Sequence, residues 1–343
     1  MRDTVTIDAM QDNRDEAIRR AAQVLRDGGL VVFPTETVYG IGANALDPAA
    51  VAGIFAAKGR PRDNPLIAHI ADLDALESLT SRVPPEALRL AEIFWPGPLT
   101  MVLPRSGLVP DAVTAGLDTV AVRMPSHPIA REIIRAAGLP VAAPSANTSG
   151  RPSPTRLEHC AEDLAGKVDL MVDGGPCAVG LESTVLSLAG EIPRLLRPGA
   201  VTLEELRAEL GVVKMDPAVL HHLEEGAAAS SPGMKYRHYA PRARVVLVHA
   251  GAGQFAQYVR TRAGEDVFAL AFDEDMEGLG VPGVSYGPAG DPAAQARGLF
   301  AALRELDRLG ARQVYARAPE MGGVGMAVYN RLVRAAGFRE VRL

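Results

Sequence analysis

Three cationic side chains, Lys58, Arg60 and Arg62, lie within five residues at the end of a predicted helix. Cations at that end of a helix complement the helix dipole. The same side chains could hold a phosphate, with lysine as a point charge and arginine as a two-pronged donor. Gly59 and Pro61 indicate a shaped loop instead of a solvated helix face, and the residues alone leave both interpretations open.

Two segments rich in hydroxyl groups follow predicted strands. The first, PTETVYG (34–40), carries Thr35 and Thr37, and ligands of α/β folds bind beyond the carboxyl ends of strands. The second, PSANTSGRPSP (144–154), carries Ser145, Asn147 and Ser153, which could cradle phosphates or a ribose. A threonine-closed turn and an ordinary loop have the same compositions, so neither segment is decisive by itself.

Polar residues also interrupt or end apolar strands. His69 lies in the run LIAHI, where a histidine is more often a satisfied core residue than a catalyst. Arg123 closes the run TVAVR and requires water or an anionic partner, either a buried carboxylate or a substrate carboxylate. Ser183 and Arg197 bracket another predicted strand pair and could face the same cleft.

Other familiar chemistries find no support in the sequence. The string GIGANA (40–45) follows a strand but lacks an acidic residue at the distance that a nicotinamide fingerprint requires. The sequence has no Walker A, HExxH or GxSxG string. Neither Cys160 nor Cys177 has a neighbour at zinc-ligand spacing, and we predict no metal bound by the protein alone.

Composition favours a two-domain protein that binds small molecules. The chain has 343 residues, a net charge of -5 and 5% aromatic residues, so strong direct binding to nucleic acid is not expected. An anion would have to meet a local cationic pocket. No signal peptide or membrane-length apolar run is apparent and two cysteines suit a reducing compartment, so we expect a cytoplasmic protein without membrane contact.

The order of predicted elements indicates an α/β fold. A helix over 13–26, with Asn13 as its cap, precedes a buried strand over 30–33, and a second helix opens at Asp47. Several later strands follow one another without a helix, which favours a mixed sheet. We expect a catalytic domain over 1–211, an interdomain linker or lid over 212–242, and a smaller Rossmann-like α/β domain with a parallel sheet over 243–343.

Taken together, the motifs resemble those of the threonylcarbamoyl-AMP synthases of the YrdC-like superfamily, in their longer two-domain form. The matching strings are PTETVYG (34–40), Lys58-x-Arg60, NPLIAH (64–69), WPGPLT (95–100), DTVAVRMP (118–125), PSAN (144–147), RPSPT (151–155), ESTV (182–185), LLRPG (195–199) and PGMKYRHYAP (232–241). They cover the first domain nearly end to end, whereas the second domain matches only in type.

The resemblance implies a nucleotidyltransferase that makes threonylcarbamoyl-adenylate and pyrophosphate from L-threonine, bicarbonate and ATP, for a modified adenosine beside the tRNA anticodon. Mg²⁺ would accompany the ATP, and separate transferase proteins would receive the product. By position, the implied ATP contacts are Lys58, Arg60, Asn64, Thr119, Ser145, Asn147, Ser153, Arg197 and Tyr236, with Lys58 and Arg60 acting in catalysis. The implied threonine contacts are Thr37, His69, Arg123, Ala143 and Ser183, with Arg123 on the carboxylate.

Two other functions remain as alternatives. An RNA-binding or ribosome-associated YrdC-like module without catalysis would share the fold, but the acidic charge and scarce aromatics disfavour it. A carbamoyltransferase of the hydrogenase-maturation type would need additional regions and zinc-binding cysteines that this sequence lacks.

Overall fold

The structure, a computed structural model, describes residues 3–10, 13–221 and 238–343, and these form two sheets. The strands of the first sheet are β1 (Val5–Asp8), β2 (Val31–Phe33), β3 (Gly40–Asn44), β4 (Ile67–His69), β5 (Leu99–Pro104), β6 (Thr119–Arg123), β7 (Val141–Ala142), β8 (Leu170–Asp173), β9 (Thr184–Ser187), β10 (Arg194–Arg197) and β11 (Lys214–Met215). The helices around it are α1 (Arg14–Arg26), α2 (Pro48–Lys58), α3 (Asp74–Leu79), α4 (Pro85–Phe94), α5 (Asp111–Thr114), α6 (Pro128–Ala137), α7 (Leu157–Leu164) and α8 (Leu203–Leu210).

The first sheet is mixed, as the sequence predicts. Its strand order is β1-β8-β2-β3-β7-β4-β6-β5-β9-β10-β11. It contains both parallel pairs, such as β4 with β6, and antiparallel pairs, such as β5 with β6. The central strands are short and almost wholly buried because helices or loops cover both faces, which explains their continuous apolar runs.

The second sheet is parallel throughout, which also agrees with the prediction. Its strands are β12 (Arg244–His249), β13 (Val267–Ala271), β14 (Gly283–Ser285), β15 (Gln313–Arg317) and β16 (Glu340–Arg342), in the order β14-β13-β15-β12-β16. Its helices are α9 (Ala252–Arg260), α10 (Pro292–Arg308) and α11 (Val324–Ala335). Helices α10 and α11 pack on each other and face the first domain through buried arginines described below.

Side chains cap the start of only some of the described helices, among them α2 and α8. The Asp47 carboxylate accepts a hydrogen bond from the Ala49 amide at 2.8 Å, and Gly59 ends α2 in the left-handed region at φ 61°. The prediction that Asn13 caps α1 is wrong, because its side chain makes no capping hydrogen bond. At the start of α8, Thr202 and Glu205 form a full capping box, in which each side chain accepts a hydrogen bond from the backbone amide of the other residue.

The first sheet continues past the predicted end of the first domain. Strand β11 pairs in parallel with β10, and Val213 and Met215 pack against the first domain's core. A 3₁₀ turn (Pro217–Val219) follows, with Ala218 packed over the apolar face of the sheet. The predicted division at residues 211 and 242 therefore stays a prediction, and most of the predicted linker lies outside the described residues.

Among the described residues, no helix is both long enough and apolar enough to cross a membrane.

Candidate active site

One cavity of about 600 Å³, counted with its open mouth, lies over the carboxyl ends of β4 and β6 and reaches the second domain. Its walls contain three arginines, several hydroxyl groups and one carboxylate. They are formed by Thr35, Thr37, Val38, Gly40, Arg60, Ile67, His69, Arg123, Ala143, Pro144, Ser145, Glu182, Ser183, Arg197, His238 and Tyr239. Eight residues that the sequence analysis singles out, spread from Thr37 to Arg197, thus meet at one place.

The sheet supplies the floor of this cavity. His69 and Arg123 are register partners at the ends of the parallel strands β4 and β6, and their side chains lie beside each other. Thr119 begins β6 and shares a sheet face with Arg123, because alternate residues of a strand point the same way. It lies about 13 Å away along the strand and lines a separate depression with Arg194 and Asp216.

The two hydroxyl-rich loops lie side by side above this floor. The amide of Tyr39 donates to Pro154, and the amide of Ala146 donates to Tyr39, at 2.9 and 2.8 Å. The Thr35 hydroxyl closes the turn of its own loop by accepting from the amide of Val38. The turn interpretation and the ligand interpretation are therefore compatible, because Thr37 remains at the cavity wall.

Arg123 is held by the first of these loops. Its guanidinium contacts Glu36 at 2.7 Å, donates to the Thr37 hydroxyl at 2.9 Å and to the Gly97 carbonyl at 3.3 Å. Burial raises the pKa of Glu36, but Arg123 and backbone hydrogen bonds outweigh this effect and leave that pKa below its usual value. The buried carboxylate that the sequence allowed as a partner of Arg123 is Glu36.

His69 lies in a setting that keeps it neutral. Its ring packs edge-on against Phe33, and Nδ1 lies 3.2 Å from the Ile67 carbonyl. Burial, together with the charge of Arg123, lowers the pKa of His69 to about 3. A ring with that pKa accepts a proton too weakly to serve as a general base at neutral pH.

The two cations of Lys58-x-Arg60 occupy different surroundings. Lys58 is buried, and its Nζ donates to the carbonyls of Ser145 and Asn147, the latter at 2.6 Å. Burial lowers the pKa of Lys58 well below its usual value, and nearby Arg60 lowers it further. Arg60 is half-buried at the cavity wall and donates to the carbonyls of Asn64 and Pro65.

The predicted asparagines lie just behind the cavity wall. Asn147 is buried, and its amide donates to the carbonyls of Thr148 and Arg151, which fixes the shape of the 144–154 loop. Asn64 is also buried, but neither polar atom of its side chain has a hydrogen-bond partner among the described residues. Burying an amide without partners costs free energy, so this arrangement favours a ligand-binding role for Asn64.

At the other side of the cavity, Ser183 and Arg197 contact each other. Arg197 donates to the Ser183 carbonyl at 2.9 Å and to its hydroxyl at 3.1 Å. The Ser183 hydroxyl also shares a hydrogen bond with Thr100 at 2.7 Å. Gly199 is required next to them, because a Cβ there would lie 2.3 Å from the Thr184 amide nitrogen.

Ser153 does not line the cavity and instead donates its hydroxyl to Glu182. Glu182 also lies at the cavity wall, although the sequence predicted no role for it beyond its place in the ESTV string. His238 and Tyr239, which belong to the PGMKYRHYAP string of the predicted linker or lid, line the same cavity. Tyr236, which the same string predicts as a nucleotide contact, lies outside the described residues.

Ala143 lines the cavity, and its amide donates to the Ile67 carbonyl at 2.9 Å. The described residues contain no group of three or more histidine, cysteine or acidic side chains that could hold a metal ion. The acidic groups near the cavity, Glu36 and Glu182, are both paired with arginines. These donors do not suit a metal cage made by the protein alone.

Comparison with known proteins gives consistent matches over both domains. The family model described as telomere recombination (Sua5, YciO and YrdC) matches residues 23–199, and the model for the threonylcarbamoyl-AMP synthase C-terminal domain matches residues 201–337. Threonylcarbamoyl-AMP synthase from Pyrococcus abyssi is 48% identical, with 99% of this chain and 100% of the relative covered. The enzyme from Bacillus subtilis is 46% identical, with 96% of this chain and 95% of the relative covered.

Solved structures agree with these matches. A crystal structure of Pyrococcus abyssi Sua5 complexed with L-threonine has a TM-score of 0.89 and 45% identity, and covers 99% of each chain. The predicted fold class is confirmed, as is the predicted nucleotidyltransferase activity that the family name describes. Because the whole length and both domains match one group of enzymes, the chain belongs to the threonylcarbamoyl-AMP synthase family.

Proposed function

We propose that the cavity over β4 and β6 is where this chain joins L-threonine, bicarbonate and ATP into threonylcarbamoyl-adenylate and pyrophosphate. The observation that carries the proposal is the convergence of Arg60, Arg123 and Arg197 on one cavity that also bears the hydroxyls of Ser145 and Ser183. One substrate is an amino acid with a carboxylate and the other is a triphosphate. Separate cations for the two anions meet the needs of both.

Threonine would bind at the end formed by Thr37, His69, Arg123, Ala143 and Ser183. A guanidinium has five N–H donors, and the described contacts of Arg123 use three nitrogens without occupying every hydrogen. The substrate carboxylate can therefore share Arg123 with Glu36. Neutral His69 and the hydroxyls would then bind the polar atoms of the amino acid.

ATP would bind at the end formed by Arg60, Ser145 and Arg197. Lys58, Asn64, Asn147 and Ser153 support or complete that end from behind the wall, and we extend the site to Thr119 and Tyr236 on the strength of the motifs. The threonine amine first takes up the carbon of bicarbonate, with loss of water, and becomes a carbamate. A carbamate oxygen then attacks the α-phosphorus while the bond to the bridging oxygen of the leaving pyrophosphate breaks, so negative charge builds up on the phosphoryl oxygens. Preorganised cations and N–H groups stabilise that charge without reorganising during the reaction.

Mg²⁺ is proposed only as a companion of ATP. Since the carboxylates near the cavity are paired with arginines, the ion would be held by the phosphates, as Mg²⁺ often is. When bound in that way it would neutralise phosphate charge. The residues of the chain then have the task of orienting both substrates and excluding water.

The context of the reaction is proposed on the same basis. The product would pass to separate transferase proteins that attach it to the adenosine beside the tRNA anticodon, in the cytoplasm and without direct strong binding to nucleic acid. We also propose the division into a catalytic domain, a linker and a C-terminal domain, with the first boundary moved past β11.

The proposal is tested by pyrophosphate release. The rate is expected to require ATP, L-threonine and bicarbonate together, and mass spectrometry should detect threonylcarbamoyl-adenylate. Ser183→Ala should raise the KM for threonine, whereas Ser106→Ala, on an exposed loop, should change neither substrate's KM. A rate that is unchanged without threonine would refute the assignment, and salt-sensitive RNA binding in its place would favour the non-catalytic alternative.

A further inference from the structure

A helix of the second domain reaches the wall behind the proposed nucleotide site. Arg331, on α11, is 0% exposed although it is one of the largest side chains in the protein. Its Nε donates to the Glu182 carboxylate at 2.8 Å and its Nη2 to the Glu182 carbonyl at 3.1 Å. Its Nη1 donates to the Pro198 carbonyl at 2.9 Å. The Arg331 side chain therefore forms hydrogen bonds with both the ESTV motif (182–185) and the LLRPG motif (195–199).

Glu182 connects Arg331 to the cavity, because it lines the cavity wall and contacts Ser153 as well. Its other carboxylate oxygen accepts from the hydroxyl of Ser153, which we have placed in the ATP site. Burial raises the pKa of Glu182, but the charges of Arg331 and Arg197 outweigh that effect, so the carboxylate is ionised. Charge-assisted hydrogen bonds therefore connect Arg331 of α11 through Glu182 to Ser153. The Glu182 carboxylate also interacts through its charge with Arg197.

The neighbours of Arg331 on α11 hold the chain on both sides of residues 222–237. Asn330 donates to the Val219 carbonyl at 2.7 Å, and Arg334 donates to the Ala218 carbonyl at 2.5 Å. The guanidinium carbon of Arg331 lies 5.5 Å from the centre of the Tyr239 ring, which lines the cavity. These contacts give α11 the position of a common anchor for the ESTV motif and the two flanking segments.

We propose that Arg331 is a positioning residue for the ATP half of the active site, through which the second domain completes the nucleotide-binding wall. The inference rests on the proposed function. It does not extend to the threonine half, where Arg123 is held by Glu36, Thr37 and Gly97 of the first domain.

The first test is Arg331→Met, which keeps much of the side-chain volume but removes every hydrogen bond. The KM for ATP should rise at least tenfold, while the Kd for L-threonine, measured calorimetrically without ATP, should stay within twofold. The matched control is Arg308→Met, which removes an exposed arginine that pairs with Glu305 on α10 and should change neither constant.

A second variant separates positioning from simple charge balance. Removing Arg331 alone leaves the buried Glu182 carboxylate without its partner, which destabilises the fold. In the double variant with Glu182→Gln and Arg331→Met, both members of the ion pair are neutral and glutamine can still accept from Ser153. Thermal stability should recover towards that of the wild type, whereas the KM for ATP should stay raised.

Several outcomes would overturn the inference. Recovery of the KM for ATP together with stability would reduce Arg331 to a charge partner. Equal losses of ATP and threonine binding would indicate general disruption, and failure of both variants to fold would make Arg331 a folding residue only. None of these outcomes concerns the proposed function itself, which fails only if the wild-type protein lacks threonine-dependent pyrophosphate release.

Discussion

The two ends of the cavity are built in different ways. At the threonine end, the contacts of Arg123 come from Glu36, Thr37 and Gly97, all in the first domain. At the nucleotide end, Ser153 rests on Glu182, and Glu182 rests on Arg331 of the second domain. At Arg123 the first end is therefore self-sufficient, whereas the second end, together with the adjoining Glu182–Ser183 segment, depends on the packing of two domains.

A second buried arginine extends this difference. Arg304, on α10, donates to the Pro152 carbonyl at 2.7 Å and pairs with Asp163 at 2.8 Å, and Asp163 also binds Arg151 of the 144–154 loop. Both domain contacts thus support loops that we assign to ATP. We therefore expect the second domain to influence nucleotide binding while leaving threonine binding nearly unchanged.

The largest effect is expected at the self-sufficient end. Arg123→Met should abolish threonine-dependent pyrophosphate release, because it removes the proposed partner of the threonine carboxylate. It should also lower the free energy of unfolding by about 3–5 kcal/mol, since it strands the buried Glu36 carboxylate. Calorimetric titration with threonine and urea unfolding measure the two losses.

The matched control for this variant adds Glu36→Gln. The double variant should regain most of the stability but should not bind threonine. Recovery of threonine binding would show that Arg123 serves only to balance Glu36, and the self-sufficient end would then lack its proposed anion contact.

The second prediction concerns removal of the second domain. A chain cut after His221 keeps β11 and the core of the first sheet, so it should fold, as circular dichroism would show. It exposes Val38 and Leu181, which pack into the second domain's core, and it leaves Glu182 without Arg331. Threonine should still bind, whereas turnover should fall by more than a hundredfold; full turnover would contradict the comparison.

The third prediction compares neighbouring cations. Arg60→Ala should cut turnover about a hundredfold, because removing one preorganised donor costs roughly 3 kcal/mol of transition-state stabilisation. The melting temperature should shift by only a few degrees, since Arg60 is half-buried at the cavity wall. Arg62→Ala, an exposed control two residues away, should change neither value. Unfolding of the Arg60 variant would instead mark that residue as structural.

The sequence predicts the cavity better than it predicts what supports it. His69, Arg123 and Ser145 could be placed because they stand at or after apolar runs, and strand ends meet at one edge of a sheet. The pairing of Glu182 with Arg331 could not be predicted, because the two residues are 149 positions apart and Arg331 belongs to no motif. Tertiary packing alone brings them together.

Local structure was missed where the local signal is weak. Strand β1 reads VTID, with polar residues at alternate positions, and finds its place only by pairing with β8. Strand β3 carries two glycines that partly match a dinucleotide-binding fingerprint. The structural reason for Gly42 is different: a Cβ at this position would lie 2.6 Å from the Phe33 ring, so no side chain can be accommodated. Close packing against a side chain of the neighbouring strand is not visible in a local pattern.

The smallest effect at neutral pH comes from two buried histidines, and here the two ends should behave alike. Burial, with the charge of Arg123 at one end and of Arg60 at the other, lowers the pKa values of His69 and His238 to about 3 from 6.5. Between these values the unfolded chain binds protons that the folded chain does not. Stability is therefore fully present above pH 6.5 and is lost as pH falls towards 3, by about 1.4 kcal/mol per pH unit for each ring.

Replacing either ring should flatten that pH dependence by the same amount. His69→Gln and His238→Gln should each lower the slope of unfolding free energy against pH by up to one proton between pH 4 and 6, measured by urea unfolding. His221→Gln, which removes a surface histidine, is the control and should leave a steeper slope than either of them. If only His238→Gln flattened the slope, His69 would have to be accessible to protons, and the threonine end would be less closed than its contacts indicate.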